Sequence, residues 1–491
     1  MISLLLMLTA GAQDAPDLMM DDDLMGFLNA QKETWPDRSK RPQVTVAEPW
    51  ELPEWQEHAL SDGVRVLHVQ VEGVRKVELQ LTRHRGALDL DGKTSPSTFA
   101  TGWLMDSATA LLSAQQLEIK ADLLDMGLWS NGLAFTRAEL GFDVPVEDFD
   151  ASLDLFVSVL KTPAYPKADI QRWTRDELLD LEVYYRTSGG AVASRAMHHS
   201  WFAADTPYGQ RDDLSAYKGI DTTQLVKRNL QLNAESPMTV MVVGDMSWQD
   251  LEPKLKAAFT DLGAKGEESP MPEFSSPAAS RFIAVDMPGA EQAVVRMRMA
   301  APKLGHDDQD VMDAVNWAYG GAFLSRLNRS IREEKGWTYG SRSSYGAADT
   351  YGTFSVSYDT GVDTTADAIA ETVRVLEELA EGGCTADEIE ASYLESVGVW
   401  NNTNVDAASA HGFYDWLLND GLTVATARER LLATGSLTPE QTAKAASTWL
   451  GSDQPRVWVV VGDRSKLEPE LAELGWEWEW LDVEAAVMGT F

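Results

Sequence analysis

With 491 residues the chain is long enough for two or more domains. Its formal net charge of −36 excludes nucleic acid as a partner, because phosphates would be repelled. The single cysteine, Cys384, excludes an intramolecular disulfide and a Cys-based zinc site.

The chain opens on Met1-Ile2-Ser3-Leu4-Leu5-Leu6-Met7-Leu8, an apolar run ending at Ala10-Gly11-Ala12. The small-residue pattern suits signal-peptidase cleavage, so residues 1–12 are expected to be a signal peptide. The run is too short to span a bilayer, and no later segment is long and apolar enough to do so. An exported protein is expected, periplasmic in a cell with an outer membrane. Residues 13–49 form an acidic N-terminal arm that includes Asp21-Asp22-Asp23. Such charge runs are usually just solvated.

An internal repeat then organises the chain. Met241-Val242-Val243-Gly244-Asp245 is followed by Leu251-Glu252-Pro253 and Leu262-Gly263. Val459-Val460-Val461-Gly462-Asp463 is followed by Leu467-Glu468-Pro469 and Leu474-Gly475. Each copy reads as a buried strand, a Gly-Asp turn and a helix. Strands at 64–71 and 77–81 open the first half. Helices follow at 103–113 and 115–126, then a strand at 139–144, then helices near 147–161 and 168–186. The second half repeats the order: strands 282–286 and 293–299, helices near 307–319 and 323–334, strands 337–346 and 351–358, helices near 364–381 and 386–400. Thr353, Ser355 and Ser357 alternate with Gly352, Phe354, Val356 and Tyr358, a period of two. The expected architecture is α+β: two homologous domains at 50–263 and 280–485, joined by a Ser/Pro-containing linker at 264–279. Each is a mixed β-sheet with helices packed on one face.

Candidate chemistry lies in the second half, in Gly320-Gly321-Ala322-Phe323-Leu324-Ser325-Arg326-Leu327 and Ile331-Arg332-Glu333-Glu334-Lys335-Gly336-Trp337-Thr338-Tyr339. Leu324, Leu327 and Ile331 recur at helical spacing, and Gly336 is a helix-ending glycine. Arg332 would leave the last helical turn and Tyr339 would sit on the following strand. A guanidinium fork can grip a carbonyl, and a phenol can donate to an oxyanion.

This block resembles the C-terminal half of the pitrilysin (insulinase and mitochondrial processing peptidase) metallopeptidases. The resemblance implies a half of a clamshell that closes over peptides, with Arg332 and Tyr339 contacting the substrate. It also implies His-x-x-Glu-His on a helix of the first half, for zinc and a general base. The seven histidines, at 58, 68, 84, 198, 199, 306 and 411, never take that spacing. Gly102, Met105 and Asp106 stand at the family's His, Glu and His, and Glu182 stands at its third ligand. His198-His199, adjacent on a helix, cannot readily chelate one ion. The tryptophans 476, 478 and 480 read as a packing stripe.

The resemblance therefore implies a zinc-less subunit of a heterodimeric peptidase. No cofactor is expected in this chain. Zinc would reside in a partner of the same family bearing His-x-x-Glu-His, and the substrates would be unfolded peptides. A stand-alone peptide-binding or scaffold protein is the alternative.

Overall fold

Valine-rich strands, some buried throughout and some on alternate residues, build two sheets. A computed structural model describes residues 48–211 and 213–491, so the signal peptide and nearly all of the acidic arm lie outside the described residues. The first sheet has β1 (Gln56–Ser61), β2 (Val64–Gln70), β3 (Lys76–Arg83), β4 (Gly127–Leu133), β5 (Ala138–Pro145) and β6 (Met238–Gly244). Its order is β1-β2-β6-β3-β5-β4. The second has β7 (Arg281–Asp286), β8 (Gln292–Ala301), β9 (Ser341–Ala347), β10 (Gly352–Gly361), β11 (Val457–Gly462) and β12 (Glu479–Asp482). Its order is β12-β7-β11-β8-β10-β9. β2 and β6 pair parallel, as do β7 and β11, and the strands beyond them are antiparallel. The sheets are mixed and five strands correspond one to one. Only the outer edge differs: β1 pairs antiparallel with β2, whereas β12 pairs parallel with β7.

The Gly-Asp turns of the repeat have a physical role. The Asp245 carboxylate accepts the Gly73 N–H at 2.9 Å, and the Asp463 carboxylate accepts the Gly289 N–H at 2.9 Å. Each glycine sits in the connection between β2 and β3 or between β7 and β8, at φ +81°. Each turn therefore satisfies a backbone donor that a left-handed glycine exposes.

Five helices bear on the site: α1 (Pro96–Trp103), α2 (Lys167–Leu179), α3 (Gly189–Trp201), α4 (Gln309–Asn316) and α5 (Ala407–Asn419). Each half packs its own helices on one face of its sheet, over cores centred on Val66, Leu79, Phe142 and Phe156, and on Val295, Phe354, Leu376 and Trp458. The opposite faces are not left bare. α5, from the second half, packs on Leu67, Val69, Met241 and Val243 of the first sheet. α3, from the first half, packs on Ile283, Val285, Val457, Val459 and Val461 of the second. This exchange explains why β2, β6, β7 and β11 are apolar on both sides, and residues 48–491 form one compact unit. Among the described residues, no helix is long and apolar enough to cross a membrane.

Candidate functional site

The motif at 320–339 is held by buried polar anchors. Arg326 grips Glu388 through two hydrogen bonds, Nε–Oε1 at 2.8 Å and Nη2–Oε2 at 2.6 Å, and donates to the Gly383 carbonyl. Asn328 accepts the Ser341 N–H at 3.1 Å and donates to the Phe323 carbonyl at 2.7 Å. Leu327 and Ile331 are fully buried. Gly320 lies against β9, where an added Cβ would come within 2.7 Å of the Ser343 backbone nitrogen. The Gly-Gly-x-Phe-x-Ser-Arg-Leu phrase is thus mostly scaffold.

Several side chains of the motif reach solvent, Tyr339 fully and Arg332 in part. Arg332 belongs to a wide, π-type turn, Arg329–Glu334, continuing the short helix Arg326–Asn328. Its guanidinium stacks over Phe323 at 4.7 Å and meets the Glu333 carboxylate at 3.4 Å. Gly336, at φ +67°, reverses the chain, with its N–H bonded to the Arg332 carbonyl. Tyr339 does not sit on the strand, contrary to the periodicity. Thr338 Oγ1 and Gly340 bond each other locally, so residues 337–340 form a loop and β9 starts at Ser341. Tyr339 is 93% exposed, and Phe323 and Leu324 beside the same turn are 68% and 66% exposed. Tyr339 thus stands open to solvent on a loop fixed from below.

The first half has the opposite character. The helix expected at 103–113 is not formed: α1 ends at Trp103, and Leu104–Ser113 is irregular, its Thr109 bridged to Pro163. Gly102 lies inside α1, pressed on β4; an added Cβ would be 2.3 Å from the Leu133 nitrogen and 2.7 Å from the Gly132 carbonyl carbon. No imidazole fits there. Met105 is buried, its sulfur contacted by Arg83 Nη2 at 3.0 Å. Arg83 is itself fully buried, bonded to Asn229 and Asn233 rather than to a carboxylate. Asp106 is pushed up to about 6 by burial. Glu182 stands exposed on the π-type turn Asp180–Tyr184 after α2, on the rim of a surface hollow of about 630 Å³ also lined by Ile170, Leu178 and Tyr217. Among the described residues, no three His, Cys, Asp or Glu side chains are grouped to hold a metal ion. The four positions do not fit zinc.

The paired histidines are spent on structure. His199 Nε2 bonds the Val487 carbonyl at 3.0 Å, and His198 packs on Phe202. Burial, with Arg195 and Arg211 nearby, holds the two imidazoles down to about 4 for His198 and about 3 for His199.

Residues 234–392, which include the whole 320–339 motif, match the family model described as the peptidase M16 inactive domain. The match covers about a third of the chain, so it describes this segment as similar to that domain. M16 is the pitrilysin family, and a non-catalytic M16-type protein agrees with the closed zinc positions. No curated protein sequence matches the chain. Among solved structures, it is similar to a peptidase M16 inactive domain from Pseudomonas fluorescens, with a TM-score of 0.73 and 20% identity over 83% of this chain and 98% of that one. A protease from Helicobacter pylori gives a TM-score of 0.72 and 18% identity, over 84% and 100%. The periplasmic protease PqqL from Escherichia coli gives 0.69 and 12%, covering 89% of this chain but 50% of PqqL. At these identities the likenesses show the fold: two six-stranded α+β units of the M16 type.

Proposed function

We propose that this chain is the zinc-less subunit of a two-chain M16-type peptidase, binding peptide and completing the active site in trans. The observation that carries this reading is the contrast between the two M16 units. The zinc positions are filled by glycine packing and a buried methionine, while Arg332 and Tyr339 are held outward on a built turn. Zinc would be supplied by a partner of the same family bearing His-x-x-Glu-His, and exported with this chain to a periplasm-like compartment. The match to PqqL, which covers 89% of this chain and 50% of that one, is compatible with a counterpart of similar fold.

In such a site Arg332 holds a carbonyl of the peptide through its fork of donors, and Tyr339 donates its hydroxyl to the oxygen that becomes negative at the scissile carbon. Unfolded peptides would add as a strand to a sheet edge. The β9 edge suits this, since a strand laid along Ser341–Ala347 runs toward the Tyr339 loop.

The test is purification of the tagged chain from its native host under gentle conditions, with mass spectrometry of what co-elutes. A near-equimolar companion bearing His-x-x-Glu-His, with chelator-sensitive peptide cleavage by the pair, supports the proposal. A chain that elutes alone or as a homodimer overturns it and moves the reading to a peptide-binding scaffold.

A further inference from the structure

The polar alternation of β10 leaves a feature that a trans active site does not use. On the face of the second sheet away from its core, Arg296 and Arg298 of β8 stand beside Ser357 and Ser355 of β10. Across β10 from them stand Arg342 and Ser344 of β9. Two cross-strand rows result: Arg296–Ser357–Arg342 and Arg298–Ser355–Ser344. Neighbouring strands lie roughly 4.8 Å apart and alternate residues roughly 7 Å apart. The three guanidinia therefore surround a floor of serines, extended by Thr353 and by Gly346, which adds no side chain. α3 covers β7, β11 and β8 but stops short of this floor: Arg342, Ser344 and Gly346 are exposed.

The cations differ in how they are neutralised. Arg296 is tied to the Tyr358 and Val295 carbonyls and meets Asp359 at 3.6 Å. Arg298 is largely desolvated against Trp201, 5.7 Å from its ring. Its hydrogen bond is Nε to Ser355 Oγ at 3.2 Å, and among the described residues no carboxylate pairs with it. Arg342 has neither a hydrogen bond nor an ion pair among the described residues. In a chain with 77 acidic residues, guanidinia left unpaired beside serine hydroxyls form a site complementary to carboxylates.

We infer that this basic, serine-floored face of the second sheet, built on Arg298 and Arg342, binds acidic side chains of an extended peptide. The site belongs to this chain alone, and its existence does not depend on a partner or on peptidase activity. The opposite sign of the rest of the chain makes it selective: a polyacid is repelled elsewhere and held only where the arginines outnumber acids.

The experiment is fluorescence anisotropy of labelled hexaglutamate with the full purified chain at low ionic strength, with hexaglutamine and hexalysine as comparison peptides. Hexaglutamate should bind and the other two should not. Arg298→Gln and Arg342→Gln should each weaken binding roughly tenfold, the scale of one charge-assisted contact. Lys227→Gln, an exposed lysine elsewhere, should leave it unchanged. Arg342 is fully on the surface, so its variant keeps the test decisive if Arg298→Gln folds poorly. Equal binding of hexaglutamine, or no weakening in either arginine variant, overturns the inference. Complete displacement by inorganic phosphate, at an ionic strength where chloride displaces nothing, would mark a small-anion site and overturn the peptide assignment.

Discussion

Gly102 and Gly320 play the same packing part in two halves that have gone separate ways. Each ends a helix by pressing it on the edge strand of its sheet, Gly102 on β4 at Leu133 and Gly320 on β9 at Ser343. In the second half this close approach sits under an exposed Arg–Tyr turn. In the first half it stands where the family resemblance puts a zinc histidine, so the helix has been packed shut. The outer faces diverge as well. Register equates Thr82 with Arg298 and Gln80 with Arg296. The first face is acidic and covered by α5: Glu78 lies 3.3 Å from His411, and burial with Asp143, Asp406 and Asp415 pushes it up to about 7. The second is basic and open. One fold therefore holds a covered, acidic sheet face in one half and an open, basic one in the other.

The largest effect that would test this comparison is at Gly102. Gly102→His should strongly destabilise the fold, since backbone atoms of β4 stand 2.3 Å from an added Cβ; overpacking typically costs about 1–3 kcal/mol and occasionally more. Gly340→Ala, where an added Cβ meets nothing within 4 Å, should be nearly silent. Thermal unfolding by circular dichroism reads both. A folded, stable Gly102→His protein would mean that the zinc position is merely vacant, and the contrast between the halves would fail.

Next come Arg332→Ala and Tyr339→Phe in the reconstituted complex. A donor aimed at a developing oxyanion is worth about 3 kcal/mol, so kcat should fall roughly 100-fold or more for Tyr339→Phe. Co-elution with the partner should not change, because the anchors of the turn are Arg326 and Asn328. Unchanged turnover in both variants would remove the trans-site reading.

A smaller effect belongs to Asp106. Its carboxyl is pushed up by burial to about 6 from an ordinary 3.8. The folded state therefore keeps its proton through a range where the unfolded chain has lost it. Stability from this group is fully present below pH 4 and declines as pH rises to about 6. Asp106→Asn should flatten that slope and stabilise the protein at pH 7, by at most about 3 kcal/mol. Urea unfolding at pH 4.5 and pH 7 measures it. A variant less stable at pH 7 than the parent would mean that Asp106 is ionised against a cation.

The sequence made the duplicated fold legible because its strongest signals are local. The Val-Gly-Asp strands and the helices near 149–161, 365–382 and 386–401 show in short apolar patterns along the sequence. The crossing of α3 and α5 was not legible, since their apolar faces pair with strands of the other half. Nor was the end of α1: Leu104 and Met105 continue an apolar pattern but are buried by tertiary contacts in an irregular segment. Arg332 was found by its motif, whereas Tyr339 was placed on a strand because alternation cannot see the Thr338–Gly340 turn. The serines of β10 were visible as a stripe, but only register across β8 and β9 adds the arginines.

Glu182→Gln should be the smallest change of all, and its smallness is informative. Of the positions that the resemblance assigns to zinc, Asp106 and Glu182 keep a ligand-type side chain, and Glu182 is the exposed one, so a residual metal site open to solvent would have to use it. It stands exposed on the turn after α2, beside a hollow lined by Ile170, Leu178 and Tyr217, and belongs to no group of three or more ligand-type side chains among the described residues. An exposed carboxylate of this kind contributes within about 0.5 kcal/mol to stability. Turnover of the reconstituted complex and Tm should both stay at the parental values. A large loss of activity, with added zinc shifting the Tm of the parent but not of Glu182→Gln, would show that this half still binds metal and that Gly102 and Met105 have been bypassed rather than silenced.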